Sequence, residues 1–173
     1  MHRFFECLGW ILLFVMTFIF LIGHEKLKLE NKQEQTIITE YEKHPKKYET
    51  SYFGYLIFQG YNEKRIIVYG DAKDVLSKSK IGIFGEVPVV VPKEPLILVG
   101  HSRQNQFSIL HHLKQGDQII LRKRDYKYFY EVIEKEVIEE SDTHFLKKIK
   151  DNMLVLITCM DDDNKRLIVY CQI

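Results

Sequence analysis

Two apolar runs in the second half of the chain each end in a side chain that can take part in acyl transfer. Residues 153–158 lead into Cys159, and residues 96–100 lead into His101. A thiol becomes a nucleophile as the thiolate, so it needs a base or a cation close by. The imidazole of His101 is a candidate base, and the pair indicates attack on a carbonyl. The competing interpretation of His101 is a hydrogen-bonded surface histidine at a strand end.

Arg166 is the third candidate, because it opens the strand that follows Cys159. A tight turn over residues 160–165 would pair the two residues across a hairpin, with their Cβ atoms about 5 Å apart on one face. A guanidinium at that distance can activate a thiol or hold a developing oxyanion. The alternative is that Arg166 only balances the charge of Asp161, Asp162 and Asp163 in the turn.

The same hairpin predicts that Cys159 is a free thiol. Cys171 would lie opposite Leu154, five residues along the ladder from Cys159, which is roughly 15 Å at about 3.3 Å per residue. That separation is too large for a disulfide. The remaining cysteine, Cys7, lies at the edge of the apolar N-terminal segment.

Other candidate sites are weaker. His111 and His112 are adjacent and point in different directions on a helix, so they do not form a metal-binding pair. The acidic residues between positions 131 and 142 lack the ligand spacing of a calcium loop. We therefore predict no cofactor, with modulation by calcium left open. A formal net charge of +1 gives no reason to expect nucleic acid as a partner.

The N-terminus reads as a membrane anchor over residues 4–23, with residues 1–3 before it. Residues 8–22 carry no charge, and Phe4 and Phe5 extend this run to the short end of a spanning helix. Bulky residues continue up to Gly23, so no signal-peptide cleavage pattern is present. Positively charged residues flank the apolar segment on both sides, Arg3 before it and Lys26 and Lys28 after it. The charges therefore do not determine which way the segment would cross the membrane.

Residues 24–50 are rich in Lys, Glu, Gln and Thr, which predicts a polar tether with at most a short helix. Beyond it the pattern is mainly β. Strands are predicted over residues 52–59, 65–69, 118–122, 126–136, 153–159 and 166–172, with one more leading into His101. Short helices are predicted over residues 71–79 and 107–113, and an irregular crossing over residues 82–95. Strands this short and numerous favour a closed or nearly closed barrel.

Three motifs in this order and strand context resemble those of the sortases, the membrane-anchored cysteine transpeptidases of mainly Gram-positive bacteria. They are Val99-Gly100-His101-Ser102, Leu156-Ile157-Thr158-Cys159 and Arg166-Leu167-Ile168-Val169, and Phe107, Leu110, Leu113 and Gly116-Asp117 agree in position. The similarity runs from about Tyr52 to Ile173, so residues 51–173 are expected to form the catalytic domain, an eight-stranded sortase-type barrel.

The resemblance implies specific roles. Cys159 would attack the carbonyl between Thr and Gly of an LPxTG-like sorting signal, and His101 would serve as acid and base. Arg166 would orient the peptide and stabilise the oxyanion, with Thr158 in support. The acceptor would be an amine of a cell-wall precursor of the lipid II type. The resemblance also implies a single-pass protein of the cell membrane with its N-terminus inside and its domain outside.

The absence of an Asp-Pro-aromatic lid in residues 24–50 favours a class A or class D type. Specificity is expected to come from the loop before residue 153, whose apolar residues would line a groove or form the buried side of a short helix: Ile138, Phe145, Leu146 and Ile149. Two other functions stay open. One is a membrane-tethered cysteine hydrolase, and the other is a noncatalytic peptide-binding protein with the same fold.

Overall fold

The computed structural model of the chain describes residues 2–78, 80–160 and 164–173. Within these ranges two α-helices and eight strands form the framework: α1 His2–Lys43, β1 Tyr52–Phe58, β2 Glu63–Val68, α2 Ala72–Ser77, β3 Ile81–Ile83, β4 Leu96–Val99, β5 Gln118–Lys123, β6 Tyr126–Glu139, β7 Met153–Cys159 and β8 Lys165–Gln172. Three 3₁₀ helices lie in the connections: Pro45–Tyr48, Ser108–His111 and His144–Lys148. The turn residues Asp161, Asp162 and Asp163 lie outside the described residues.

The eight strands close into one barrel in the order β1-β2-β3-β4-β7-β8-β6-β5. The predicted mainly β, closed architecture with short helices is therefore confirmed. The predicted hairpin register is also confirmed, because β7 and β8 pair Cys159 with Arg166 and Leu154 with Cys171. The β4 strand runs parallel to β7, with Val99 beside Ile157. This pairing brings the ends of two distant chain segments together.

The two ends of the barrel carry different residues. One end, the cysteine end, holds the last residues of β4 and β7 and the first residues of β2 and β8, among them Cys159, Arg166 and Glu63. The opposite end, the turn end, holds the connection between β5 and β6 at Arg124 and Asp125. The candidate side chains that follow the two apolar runs, His101 and Cys159, therefore lie at the same end of the barrel, the cysteine end.

The β7 strand is buried on both faces, which explains why its sequence is apolar without alternation. Leu154 and Leu156 point into the main core inside the barrel. Val155 and Ile157 belong to a second cluster outside it, against which Phe145 and Ile149 pack. Successive residues of a strand point to opposite faces, so the two clusters follow directly from the strand geometry.

Two short elements differ from the sequence prediction. Residues 82–95 were expected to form an irregular crossing throughout, but β3 pairs in parallel with β2 at Ile67 and Ile81 and antiparallel with β4. A strand of three residues with a glycine at its centre has too few side chains to show a period. The helix predicted over residues 71–79 is shorter, Ala72–Ser77. Its predicted cap is confirmed, since the Asp71 side chain accepts hydrogen bonds from the backbone N–H groups of Lys73 and Asp74.

Helix α1 is the largest departure, because it continues without a break through the expected tether to Lys43. Its last turns pack on the barrel wall, where Ile38 and Tyr41, each 1% exposed, form a cluster with Tyr55 and Ile66. The expectation of at most a short helix was wrong because the apolar residues here are few. Their spacing from Glu34, at i+4 and i+7, nevertheless places all three on one helix face.

Glu34→Gln is expected to raise the free energy of unfolding near neutral pH. Glu34 Oε1 accepts a hydrogen bond of 2.8 Å from the Ile66 backbone N–H, and burial raises the pKa of its carboxyl. A raised pKa in the folded state means that the native protein loses stability as the pH rises and the carboxyl ionises. Glutamine keeps an acceptor and removes the charge.

Urea unfolding of residues 25–173 measures this effect. The Glu34→Gln midpoint should exceed the wild-type midpoint at about pH 7, and the difference should shrink towards about pH 4. Glu40→Gln, at a more accessible position of the same helix, is the control. A difference that did not change with pH would contradict the assignment.

Candidate active site

Cys159 is the last residue of β7 and is half-buried at the cysteine end of the barrel. It is a free thiol, as predicted, and so is Cys171. The two thiols have different environments, since Cys171 lies in the core and burial raises its pKa well above the usual range. Of the two, only Cys159 is accessible to a substrate.

Thr158 precedes the cysteine and is 1% exposed. Its Oγ1 is buried and has no hydrogen-bond partner among the described residues. A buried hydroxyl without a partner is uncommon, because it loses its hydrogen bonds to water without replacement. Thr158 also lines the cavity described below.

His101 reaches the same end of the barrel because β4 lies beside β7 and the chain turns sharply after it. The backbone N–H of Gly100 donates to the Ile157 carbonyl at 3.1 Å. A side chain at Gly100 would have its Cβ 2.9 Å from the Phe107 ring, so glycine is required for this close approach. The Phe107 N–H in turn donates to the His101 carbonyl at 3.0 Å, which closes the loop around residues 101–107.

The imidazole of His101 bonds to helix α2. Its Nε2 lies 3.0 Å from the backbone oxygen of Leu76. A carbonyl oxygen can only accept, so Nε2 carries the proton in this contact. The other ring nitrogen, Nδ1, is then the one that can exchange a proton with a thiol or an amine. The α2 helix therefore orients the ring, a contribution that the sequence did not reveal.

A buried polar brace supports the loop that carries His101. The Gln106 side chain, 1% exposed, accepts a hydrogen bond of 2.7 Å from the His101 backbone N–H. Arg65 on β2, 5% exposed, donates to the Gln106 carbonyl at 3.1 Å and to the Gln104 carbonyl at 2.7 Å. Glu63 balances the buried guanidinium. Sequence reasoning missed this brace, and the one available signal was an arginine directly before the apolar residues of the predicted strand 65–69.

Arg166 lies opposite Cys159 and contacts a carboxylate. Its guanidinium donates to Glu140, in the segment after β6, and to the Lys165 carbonyl at 3.2 Å. The proposed neutralisation of Arg166 by the turn aspartates falls outside the described residues. A fork of donors that is held beside the thiol can bind a carbonyl oxygen. Glu140 was predicted only as part of an exposed acidic run, and its ion pair requires the β6–β8 pairing.

The four predicted site residues, His101, Thr158, Cys159 and Arg166, line one cavity of about 640 Å³, the site cavity. A volume of this size suits a peptide segment or a small ligand. Apolar side chains form much of the remaining wall: Ala72, Leu76, Phe84, Ile138, Phe145, Leu146 and Ile168. Of the four residues predicted to line a groove, Ile149 does not line the site cavity. It packs instead against the cluster outside the barrel that contains Val155 and Ile157.

In residues 10–78, 80–160 and 164–173, no three His, Cys, Asp or Glu side chains come together in a way that would hold a metal ion. The site cavity brings together a thiol, an imidazole, a guanidinium and a hydroxyl-bearing residue. Together these groups can bind a carbonyl, attack it, and supply or remove a proton.

Glu140→Ala is expected to raise KM for a peptide substrate a few-fold with little change in kcat. Glu140 holds Arg166 beside Cys159, and an accessible ion pair contributes about 0.2–1 kcal/mol, or about 1.4-fold to 5-fold in binding. Glu139→Ala is the matched control, because that neighbouring glutamate makes no side-chain ion pair among the described residues. Identical KM values for both variants would show that Glu140 does not position the arginine.

Helix α1 contains a segment that is long and apolar enough to cross a membrane, by length and composition. Its apolar side chains from Trp10 to Ile22 are exposed rather than packed, with Phe14 77% exposed. This segment is therefore not a buried core helix of the barrel domain. A membrane anchor is consistent with this surface.

Comparison with known proteins agrees with the barrel and its site. The sequence model described as Sortase domain matches residues 58–173. Sortase A of Listeria monocytogenes is 22% identical, with a TM-score of 0.61 over 70% of this chain and 86% of that one. Sortase C1 of Streptococcus agalactiae is 22% identical, with a TM-score of 0.60 over 82% and 88%.

Sortase E1 of Streptomyces coelicolor, solved with a tripeptide in its active site, is 20% identical, with a TM-score of 0.61 over 71% of this chain and 88% of that one. No curated protein matches the chain. These structures of sortases A, C1 and E1 match the chain with nearly the same TM-score. The assignment to class A or class D therefore stays a prediction. Because the family model covers more than half of the sequence and the barrel is that of solved sortases, the chain belongs to the sortase family.

Proposed function

We propose that this protein is a cysteine transpeptidase that cleaves an LPxTG-like sorting signal between Thr and Gly and joins the released carbonyl to an amine. The observation that supports this most directly is the convergence of Cys159, His101 and Arg166 on one cavity at the end of the barrel. Each of these residues alone has an ordinary structural explanation. The packing of the fold, however, does not require all three to line the same cavity.

In the first step the Cys159 thiolate attacks the carbonyl carbon of the threonine. The carbon–nitrogen bond to glycine breaks as His101 gives a proton to the leaving amine, and a thioester remains on Cys159. In the second step an acceptor amine attacks the thioester carbonyl. His101 takes a proton from that amine, the new amide forms, and the Cys159 sulfur leaves.

Arg166 and Thr158 assist this chemistry. The guanidinium, held beside Cys159 by strand pairing, would bind the carbonyl oxygen and stabilise the negative charge that develops on it. The Thr158 Oγ1 is buried at the cavity without a partner among the described residues. A hydrogen bond from this hydroxyl to the bound peptide or to the reacting oxygen would satisfy it.

The apolar wall of the cavity would take the apolar residues of the sorting signal. Ile138, Phe145 and Leu146 line it from the segment between β6 and β7. This supports the predicted role of that segment in specificity, since apolar side chains with a few polar groups are typical of ligand sites. No cofactor takes part in the proposed reaction.

We assign the protein to the cell membrane as a single-pass protein, with its N-terminus inside and the barrel outside. The partners would be surface-protein sorting signals and a cell-wall precursor amine of the lipid II type. The apolar surface of α1 supports the anchor. The orientation across the membrane and the two partners are inferred from membership of the sortase family.

The test is a product assay with residues 25–173, a panel of LPxTG-type peptides, and a peptide amine acceptor. A transpeptidase gives a ligated product with acceptor and slow cleavage without it. Equal cleavage in both conditions would indicate the alternative, a membrane-tethered hydrolase. Binding without cleavage by folded protein would indicate a noncatalytic peptide-binding protein. Cys159→Ala controls for a contaminating protease.

A further inference from the structure

Helix α1 contacts the barrel at three levels, and the contacts follow the barrel from one end to the other. Glu30 accepts a hydrogen bond of 2.8 Å from the Asn105 side chain, on the loop that carries His101. One turn later Glu34 bonds to Ile66 on β2. Two further turns on, the Tyr41 hydroxyl accepts from the Arg124 N–H at the turn end, at 3.0 Å.

This order gives the barrel a direction along the helix. The cysteine end lies beside Glu30, the part of the docked segment nearest to the apolar N-terminal run. The turn end lies beside the last turn of α1, where residues 43–47 line a cavity together with Asp125. The Asn105–Glu30 bond places the loop that carries His101 at the first level. The cavity that Glu30 shares with Lys78 and Lys80 places the end of α2 near the same level.

The helix is built to hold this direction. From residue 24 to residue 43 the sequence contains neither glycine nor proline, and α1 is continuous there. Ile38 and Tyr41 are buried against β1 and β2, and Glu42 bonds to both Tyr55 and Lys64. A helix without a break and with its last turns docked cannot act as a flexible tether.

Helix geometry converts these contacts into heights. At about 1.5 Å per residue, Glu30 lies roughly 10 Å beyond Gly23, the end of the apolar run, and Tyr41 lies roughly 27 Å beyond it. A headgroup layer is about 5–8 Å thick on each side of the hydrocarbon. The cysteine end would thus lie just above the headgroups, and the turn end would lie farthest from the membrane.

We propose that α1 is a rigid spacer that points the cysteine end of the barrel at the membrane and fixes the height of the site cavity above it. This rests on the proposed membrane anchoring. The consequence is a site matched to substrates that the same membrane holds close to its surface. Substrates free in solution gain nothing from this height.

Fluorescence resonance energy transfer from the barrel to the membrane tests the orientation of the barrel, and the test does not require catalysis. The full chain, with Cys7→Ser and Cys159→Ala, carries a donor fluorophore at Ser77→Cys or at Asp125→Cys. Ser77 follows Leu76, which bonds to His101, and Asp125 lies at the turn end; both are exposed. Cys171 is buried and should stay unlabelled in the folded protein. The protein is placed in phosphatidylcholine vesicles with an acceptor on lipid headgroups.

Stronger transfer from position 77 than from position 125 is expected. Equal transfer from both positions, or stronger transfer from position 125, would overturn the orientation. Because the Cys159→Ala protein is inactive by design, this result does not depend on whether the proposed reaction occurs.

An insertion tests the fixed height. Seven helix-forming residues added between Glu25 and Lys26 lengthen α1 by about 10 Å and almost two whole turns, so the barrel keeps its direction. Transfer from both positions should fall. In protein with Cys159 intact, turnover of a peptide attached to a lipid should fall while turnover of the free peptide stays the same. Unchanged transfer would show that the linkage is flexible and would refute the spacer.

Discussion

His101→Ala is expected to lower kcat/KM for an LPxTG-type peptide by about 10²–10⁴-fold while the barrel stays folded. The ring is half-buried in the site cavity, and its Nε2 bond to Leu76 leaves Nδ1 to exchange the proton. Without the imidazole the leaving amine has no proton donor. The measurement is steady-state turnover, with circular dichroism to confirm folding.

His112→Ala is the control, since that histidine is exposed and outside the cavity. The pH profile provides a second readout, because the limb that belongs to the essential acid should disappear in the His101 variant. A His101→Ala protein that keeps more than a tenth of the wild-type kcat/KM would contradict the proposed role of His101.

Removing residues 1–50 is expected to destabilise the barrel by roughly 3–6 kcal/mol relative to removing residues 1–24. The longer deletion takes away Ile38 and Tyr41, and burying each such side chain contributes about 1.5–3 kcal/mol. It also exposes Tyr55 and Ile66, now 2% exposed each. Domains of this size unfold with about 5–15 kcal/mol, so the loss approaches the whole stability.

Chemical denaturation of residues 25–173 and 51–173 measures this difference. Ile38→Ala in the longer protein should reproduce part of it, about 2–5 kcal/mol. Thr39→Ala, on the exposed side of the same helix turn, is the control. If residues 51–173 were as stable as residues 25–173, the docking of α1 would be energetically unimportant and the rigid spacer would lose its basis.

The sequence allowed a correct prediction where one local rule determines the structure. The hairpin that pairs Cys159 with Arg166 follows from its length and polar turn. Asp71 caps α2 because its short side chain carries an oxygen that accepts from the free backbone N–H groups of the first turn. The meeting of His101 with Cys159 is different. It depends on the parallel pairing of β4 with β7, and no local pattern determines which strands become neighbours.

The features that were missed all depend on partners distant in sequence. Glu34 looked like one of many polar residues in a tether, but tertiary contact buries it and orders the helix around it. Arg65 braces a loop some forty residues away, at Gln104 and Gln106. Glu140 meets Arg166 only after β6 and β8 pair. A polar residue has no periodicity that would reveal such a partner.

Intact-mass analysis of residues 25–173 mixed with an LPxTG-type peptide tests the central claim, that Cys159 forms a thioester with a sorting signal. Wild type and Cys171→Ala, which keeps the accessible thiol, should gain the mass of the peptide up to its threonine. Cys159→Ala should gain nothing. An adduct that persists in Cys159→Ala, or folded wild type that neither cleaves nor acylates across a panel of sorting motifs, would contradict the account.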